Sequence, residues 1–264
     1  MISVCIATYN GAKYIKEQVD SIRTQLSESD EIIVSDDGST DDTLAVLAAI
    51  GDSRIKVVKN EGTHGVTGNF ENALTKATGD YVFLSDQDDV WLSTKVELFM
   101  RKFDEGAEII LSDCHITDAS LNIVSVSKFK DDGVYTGILR NIAKCCMLGS
   151  CMAFRRENMS IFLPFPRSKY IYHDIWIGLT MQYAKGITIL REPTMLYRRH
   201  ENTVTLAGIS GEQKSKRAGN TLPHKIVKRF ALLTSFCKWL VAYKTRSVGS
   251  SKQQCHRDGM ALRP

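Results

Sequence analysis

The chemistry-bearing stretch of this 264-residue chain is Phe83-Leu84-Ser85-Asp86-Gln87-Asp88-Asp89-Val90-Trp91, where three carboxylates fall within four residues directly after an apolar run from Tyr81 to Leu84. Clustered carboxylates repel one another and resist desolvation, so a fold keeps them near water or neutralises them with a cation. Oxygen ligands on one short turn suit a hard divalent ion such as Mg²⁺ or Mn²⁺, shared with the phosphates of a substrate. The alternative is a solvated acidic turn that caps a helix beginning near Ser93. Three further polar groups close apolar runs: Thr8-Tyr9-Asn10, Asp36-Asp37-Gly38-Ser39 and Asp113. Carboxylates at such places can accept from the imide N–H of a uracil or thymine and from ribose hydroxyls. Gly62, Gly65 and Gly68 flank Thr63-His64, but neither GxGxxG nor GxxxxGK[ST] is present, so dinucleotide-fold and P-loop chemistry are unsupported. Binding a diphosphate without such a loop calls for a cation, and Asp86 and Asp88 can hold one.

These groups meet only if the elements that carry them form one sheet. Residues 2–8 read as an apolar strand, and after Asn10-Gly11 the positions Ile15, Val19, Ile22 and Leu26 have helical spacing. Residues 31–35 make a second strand, Leu44, Leu47 and Ile50 the next helix, and 55–58 a third strand. Phe70, Ala73, Leu74 and Ala77 mark a third helix, ended by Gly79-Asp80, and 81–84 form a fourth strand. This alternation predicts an α/β fold with a mostly parallel sheet and helices on both faces. Right-handed crossovers line the strand ends along one edge, where ligands bind. Further on, 108–112 and 149–154 read as strands, 175–184 as a helix, and 187–199 as strand and turn around Pro193. A Gly-, Ser- and Lys-rich stretch over 207–222 reads as a loop. From 224 to 243 a helix is expected, with Ile226, Phe230, Leu233, Cys237 and Leu240 along one stripe.

Composition narrows the class. A hydrophobic fraction of 43% suits a globular protein with a proper core. The N-terminus reads as a strand, not a leader, and no run approaches the ~20 apolar residues of a membrane span. Seven cysteines lie without metal-like pairing, an odd count that suits free thiols in a reducing cytoplasm. The net charge of +4 is uneven: residues 211–264 carry seven Lys and five Arg against one Glu and one Asp, a net +10, leaving the first 210 residues at −6. A basic tail on an acidic body points to an anionic surface. Lys225, Lys228, Arg229, Lys238, Lys244 and Arg246 flank the apolar stripe, so this helix either lies on an anionic membrane, with Trp239 and Tyr243 at the interface, or covers the core.

The chain resembles a family 2 glycosyltransferase of the GT-A fold. The resemblance rests on Val4-Cys5-Ile6-Ala7-Thr8-Tyr9-Asn10, on Val34-Ser35-Asp36-Asp37-Gly38-Ser39-Thr40-Asp41, and on Gly79-Asp80-Tyr81-Val82-Phe83-Leu84 leading into Asp86-Gln87-Asp88-Asp89-Val90-Trp91. It spans roughly residues 1–205. The resemblance implies nucleotide contacts at Thr8, Asp36 and Asp37, and a metal and diphosphate site at Asp86 and Asp88, with Asp88 the more direct ligand. His200, after Tyr197-Arg198-Arg199, is similar to a family position that helps hold the metal or diphosphate. An inverting transfer needs a base on the face opposite the leaving diphosphate. Asp174, in Tyr172-His173-Asp174-Ile175-Trp176, resembles the family's His-Asp or Glu-Asp base and opens a helix; Asp113 is the second candidate. The Gln-x-x-Arg-Trp motif of processive synthases is absent, which argues for addition of one sugar.

These readings combine into a domain at 1–205, a mobile loop at 206–223 and a basic C-terminal helical segment at 224–264. The expected activity is inverting, nonprocessive and Mn²⁺- or Mg²⁺-dependent transfer of one hexose from a nucleotide sugar to a lipid-linked (diphosphoundecaprenol) saccharide. UDP-glucose is the first expected donor and dTDP-rhamnose the second. The expected place is the cytoplasmic face of the cell membrane, as a peripheral protein in O-antigen or other surface-polysaccharide assembly, with no nucleic-acid partner. The rival of another class is a non-catalytic sugar- or membrane-binding module on a decayed fold. The intact Asp86, Asp88 and Asp174 speak against it.

Overall fold

The structure is a computed structural model that describes residues 1–201 and 222–260. Four strands in the first third, β1 (Ile2–Thr8), β2 (Glu31–Asp36), β3 (Ile55–Lys59) and β4 (Tyr81–Asp86), pair in parallel in the order β3-β2-β1-β4. Their connections are α1 (Ile15–Arg23), α2 (Thr43–Ile50) and α3 (Val66–Lys76). Val4, Cys5 and Ile6 of β1 and Ile32, Ile33 and Val34 of β2 are wholly buried, as unbroken apolar runs in a sheet covered on both faces must be. The register is what matters for the site. Thr8 pairs with Asp36, and Ala7 with Asp86, so the polar ends of β1, β2 and β4 finish level on one edge.

The second half extends the sheet. After β4 come the short β5 (Val90–Trp91), α4 (Lys95–Asp104), β6 (Ile109–Thr117) and β7 (Ile123–Ser125). Next are α5 (Lys128–Asp132), α6 (Ile138–Ala143), β8 (Met152–Arg155), α7 (Met159–Phe162), α8 (His173–Ala184) and β9 (Thr188–Arg198). β8 inserts antiparallel between β4 and β6; β9 lies parallel to β6 and antiparallel to β5; β7 pairs with β6. The result is the α/β architecture expected, with the expected parallel pairing in the half that carries the level strand ends and mixed pairing in the other. The strand expected over 149–154 begins instead as a single 3-10 turn, Gly149–Cys151, before β8. The strand expected to stop at Ser112 runs on to Thr117, so Asp113 is in a strand interior, not at an end.

The last helix, α9 (Leu222–Met260), packs across α6, α7 and α8. Its contact face differs from the stripe the spacing singled out. Leu232 and Phe236 are buried, Trp239 donates from Nε1 to the Ile161 carbonyl at 2.6 Å, and Tyr183 of α8 meets Phe236, Trp239 and Tyr243 edge to face. Large rings bury the most area and find a partner for the indole N–H, so they take the body side. Trp239 and Tyr243 are thus packing residues, not interfacial anchors. Ile226 and Phe230 remain 57% and 67% exposed, and Leu233 and Cys237 are exposed beside them. The loop expected over 206–223 lies outside the described residues up to 221; Leu222 and Pro223 open α9.

Candidate active site

The level strand ends are stitched into one ledge. Gln87 accepts from the Thr8 hydroxyl at 2.6 Å and from the Tyr9 amide at 2.9 Å, and donates to the Tyr9 carbonyl, joining β1 to the acidic loop. A Cβ on Gly11 would lie 2.3 Å from Gln87 Oε1, so only glycine leaves room for that bridge. The Asp37 amide donates to the Thr8 carbonyl, joining β1 to β2. The Asp36 carboxylate accepts from the amides of Gly38 and Ser39 and from the Ser39 hydroxyl, which folds its own turn. Asp37 points the other way. It accepts from Asn60 Nδ2 at 2.6 Å and the Gly65 amide at 2.7 Å, and pairs with His64 Nδ1 at 2.8 Å, organising the loop after β3. Thr8, Asp36 and Asp37 therefore do come together, with Thr8 and Asp36 turned to internal bonds and Asp37 facing the cleft loop.

The acidic loop is held by β9. Arg198, almost fully buried, donates from its amide to Asp89 Oδ1, from Nε to the Asp88 carbonyl at 2.8 Å and from Nη1 to the Ala119 carbonyl, and pairs with Glu17. His200 Nε2 then lies 2.7 Å from Asp88 Oδ2, and the His200 ring packs on Tyr14. Residues 112 positions apart thus meet. Asp86, at the end of β4, is pushed up to about 7, first by burial, then by the charges of Asp88 and Asp174, with Ser150 pulling the other way. Asp89 is raised well above the ordinary carboxylate range, first by burial, then by the charges of Asp88 and Asp86, and among the described residues its Oδ2 has no hydrogen-bond partner.

Asp174 is brought there by packing. His173 is buried against Phe70 of α3, ring centroids 4.1 Å apart, and a Cβ on Gly149 would lie 2.4 Å from its Nε2. The first turn of α8 therefore seats on α3 and on the Gly149–Cys151 turn, which sets Asp174 close enough to Asp86 to repel it. Among the described residues the Asp174 carboxylate accepts only its own neighbour's amide, at Ile175. Asp113, by contrast, is buried and accepts from the amides of Cys114 and Phe129 and the hydroxyl of Ser127. It anchors α5, with its carboxylate engaged by three internal donors.

One buried cation stands behind this cluster and was not singled out from the sequence. Lys95 opens the apolar face of α4 (Lys95, Phe99, Phe103) and is fully enclosed, with Nζ 2.7 Å from the Ser150 carbonyl and 4.5 Å from the Trp91 ring centroid. Burial pushes it down to about 8, against the pull of Cys151, Asp89 and other buried anions. A lysine lowered in the fold binds fewer protons there than in the unfolded chain, so its contribution to stability grows as pH rises from about 8 to 10.5. Urea melts across that range should show wild type gaining on Lys95→Met as pH rises. A pH-independent difference would contradict the assignment.

Among the described residues no group of three or more His, Cys, Asp or Glu is placed to hold a metal ion by itself. What the ledge offers is oxygen and nitrogen donors of the type a hard cation takes: the Asp88–His200 pair, the buried Asp86 carboxylate, and Asp89 Oδ2, which has no hydrogen-bond partner among the described residues. Burial and mutual repulsion raise Asp86 and Asp89 even with Lys95 close by. A divalent ion completed by diphosphate oxygens fits that donor set.

Comparisons agree with this geometry. The family model described as glycosyl transferase family 2 matches residues 3–162. An uncharacterised glycosyltransferase of Nostoc sp. is 27% identical over 241 residues, 87% of this chain and 75% of that protein. A UDP-Glc:α-D-GlcNAc-diphosphoundecaprenol β-1,3-glucosyltransferase of Escherichia coli is 41% identical over 96 residues, and that match covers 36% of this chain and 38% of the relative. A dTDP-rhamnosyl transferase of Shigella flexneri is 29% identical over 234 residues, 81% of this chain and 78% of its own. Among solved structures, S. aureus TarS in complex with UDP-GlcNAc superposes with a TM-score of 0.60 at 24% identity, over 76% of this chain and 59% of that one. A mannosyltransferase of Pyrobaculum calidifontis in complex with GDP-Man and Mn²⁺ gives 0.58 at 19% identity, over 89% and 64%. The level strand ends, the Asp88–His200 contact and these matches together place the chain: it is a glycosyltransferase enzyme of the GT-A fold and belongs to glycosyl transferase family 2.

Proposed function

We propose that the enzyme moves one hexose, with inversion, from a nucleotide diphosphate sugar to a diphosphoundecaprenol-linked saccharide in O-antigen or other surface-polysaccharide assembly. The observation that carries this reading is the convergence of Asp86, Asp88 and His200 on one ledge with Asp174 beside them on a separate helix. Asp37, with Asn60 and His64, lies where a nucleobase or ribose would be read, and Thr8 and Asp36 shape that pocket. Asp86, Asp88 and His200 would hold Mn²⁺ or Mg²⁺, which supplies Lewis-acid stabilisation of the leaving diphosphate. Asp174 takes the proton of the acceptor hydroxyl. It suits that work because it is half-buried and, among the described residues, its carboxylate is engaged by one local amide, which leaves lone pairs to accept a proton. UDP-glucose is the first donor, on the 41% match to a UDP-glucose enzyme. dTDP-rhamnose is the second, because the rhamnosyl transferase match covers far more of the chain. Incubation with a panel of nucleotide sugars and a GlcNAc-diphospholipid, read as release of nucleoside diphosphate, tests the reading; no turnover of any donor overturns it.

A lipid-linked acceptor requires the enzyme to work at a membrane, and we assign that contact to α9, at the cytoplasmic face. No helix among the described residues is long and apolar enough to cross a membrane. The exposed Ile226-Phe230-Leu233-Cys237 stripe, continued by Val241, has Lys238 and Arg229 on its flanks. Each basic residue near an anionic surface contributes roughly 1 kcal/mol, weakened by salt. The wild type should co-sediment with anionic vesicles at low salt and less at high salt. Phe230→Asp combined with Leu233→Asp should move to the supernatant while keeping activity on short soluble acceptors, since neither side chain supports the body. If that variant pellets like wild type, the membrane assignment fails.

A further inference from the structure

An open groove of about 840 Å³ lies between α6 and the far end of α8. Its walls include Ile138 and Leu139 from α6, with Tyr183 from α8 and Ile187 just beyond it, and Arg140 stands on its lip. Leu139 is 78% exposed, a poor place for an isolated leucine unless something apolar covers it. The Arg140 guanidinium stacks 4.1 Å above the Tyr135 ring and has no ion pair among the described residues, so its charge is available to an anion. Two contacts join the groove to α9. Tyr183 packs on the aromatic face of α9, and Arg229 of α9 donates to the Ala143 carbonyl of α6 at 2.7 Å. Groove and exposed α9 stripe are therefore neighbours. The groove is also at a definite distance from the chemistry. Asp174 and Tyr183 lie nine residues apart on one helix, about 14 Å along its axis at ~1.5 Å per residue. In a lipid-linked acceptor a saccharide ring and a diphosphate separate the reacting hydroxyl from the first prenyl unit, a span of that order.

We propose that this groove seats the diphosphate and first prenyl units of the acceptor lipid, Arg140 on the diphosphate and Leu139, Tyr183 and Ile187 on the chain. The inference rests on the lipid-linked-acceptor reading above and deepens it. The ligand class is a prenyl diphosphate: an apolar branched chain ending in a dianion or trianion, which an apolar trough with one guanidinium at its mouth complements.

The test is calorimetry on the full chain in EDTA, with farnesyl diphosphate below its micellar concentration and inorganic pyrophosphate as the headgroup control. Wild type should bind farnesyl diphosphate at least about tenfold more tightly than pyrophosphate, since burial of the chain adds to the anion contact. Leu139→Glu should erase that advantage, and Arg140→Ala should weaken both ligands. Both side chains are exposed, so neither change should disturb folding; unchanged UDP binding in Mn²⁺ verifies this. Farnesyl diphosphate that is displaced by UDP with Mn²⁺, or that binds both variants like wild type, sits elsewhere and overturns the proposal. If no nucleotide sugar is turned over while the binding pattern holds, the groove stands and the transferase reading alone fails.

Discussion

Asp174→Asn is expected to lose transfer by on the order of 10²–10⁴-fold while binding the nucleotide diphosphate as wild type does. The amide keeps the shape and the local bond to the Ile175 amide, so the first turn of α8 stays seated on Phe70 and Gly149. What it cannot do is accept a proton. Removing that charge also removes one of the two carboxylates that push Asp86 upward, so Asp86 should ionise more readily in the variant. Cation binding should be unimpaired or slightly tighter. Calorimetry with UDP and Mn²⁺ beside single-turnover kinetics separates the two effects. Normal transfer by Asp174→Asn would remove Asp174 from the chemistry, and loss of transfer in Asp113→Asn would then move the base to Asp113.

Asp88→Ala should reduce turnover by on the order of 10²–10³-fold, the scale of losing one electrostatic contact to a developing charge. It should also bring UDP affinity in Mn²⁺ down to the value measured in EDTA. The fold should survive. Asp88 raises both Asp86 and Asp89, so its removal relieves repulsion even as His200 loses the Asp88 contact. Its backbone carbonyl, which Arg198 uses, is unaffected by the substitution. A variant that keeps full UDP affinity in Mn²⁺ would show that the cation is held elsewhere.

The parts of this site legible in the sequence are those where local pattern and global fold agree. Apolar runs that stop at Thr8, Asp36 and Asp86 are strands that end on one edge, and parallel pairing levels them. Asp113 misled for the opposite reason. A polar residue after an apolar run reads as a strand end, but here Ser127 and the start of α5 satisfy its carboxylate inside the sheet, so β6 continues. Contacts across long separations carried no local signal: Gln87 with Thr8, Arg198 with the acidic loop, His200 with Asp88. For the last, the family resemblance singled out both residues but not their contact. Lys95 left a faint trace, a charged residue on the Phe99-Phe103 face of an amphipathic helix. On α9 the spacing identified an apolar stripe but not its partner. Two apolar faces share that helix, and the aromatic one won the body because Trp239 and Phe236 offer more area and a satisfied N–H.

The account turns on a single displacement driven by Asp174 against a leaving diphosphate held by Asp86, Asp88 and His200. Proton NMR of the anomeric region during turnover, with UDP-glucose or dTDP-rhamnose and a GlcNAc-diphospholipid acceptor, tests it most directly. The account predicts that the donor's anomeric signal is replaced by a product signal of opposite configuration, and that excess EDTA stops the exchange. A product that retains the donor's configuration, or turnover undiminished in EDTA, would contradict it.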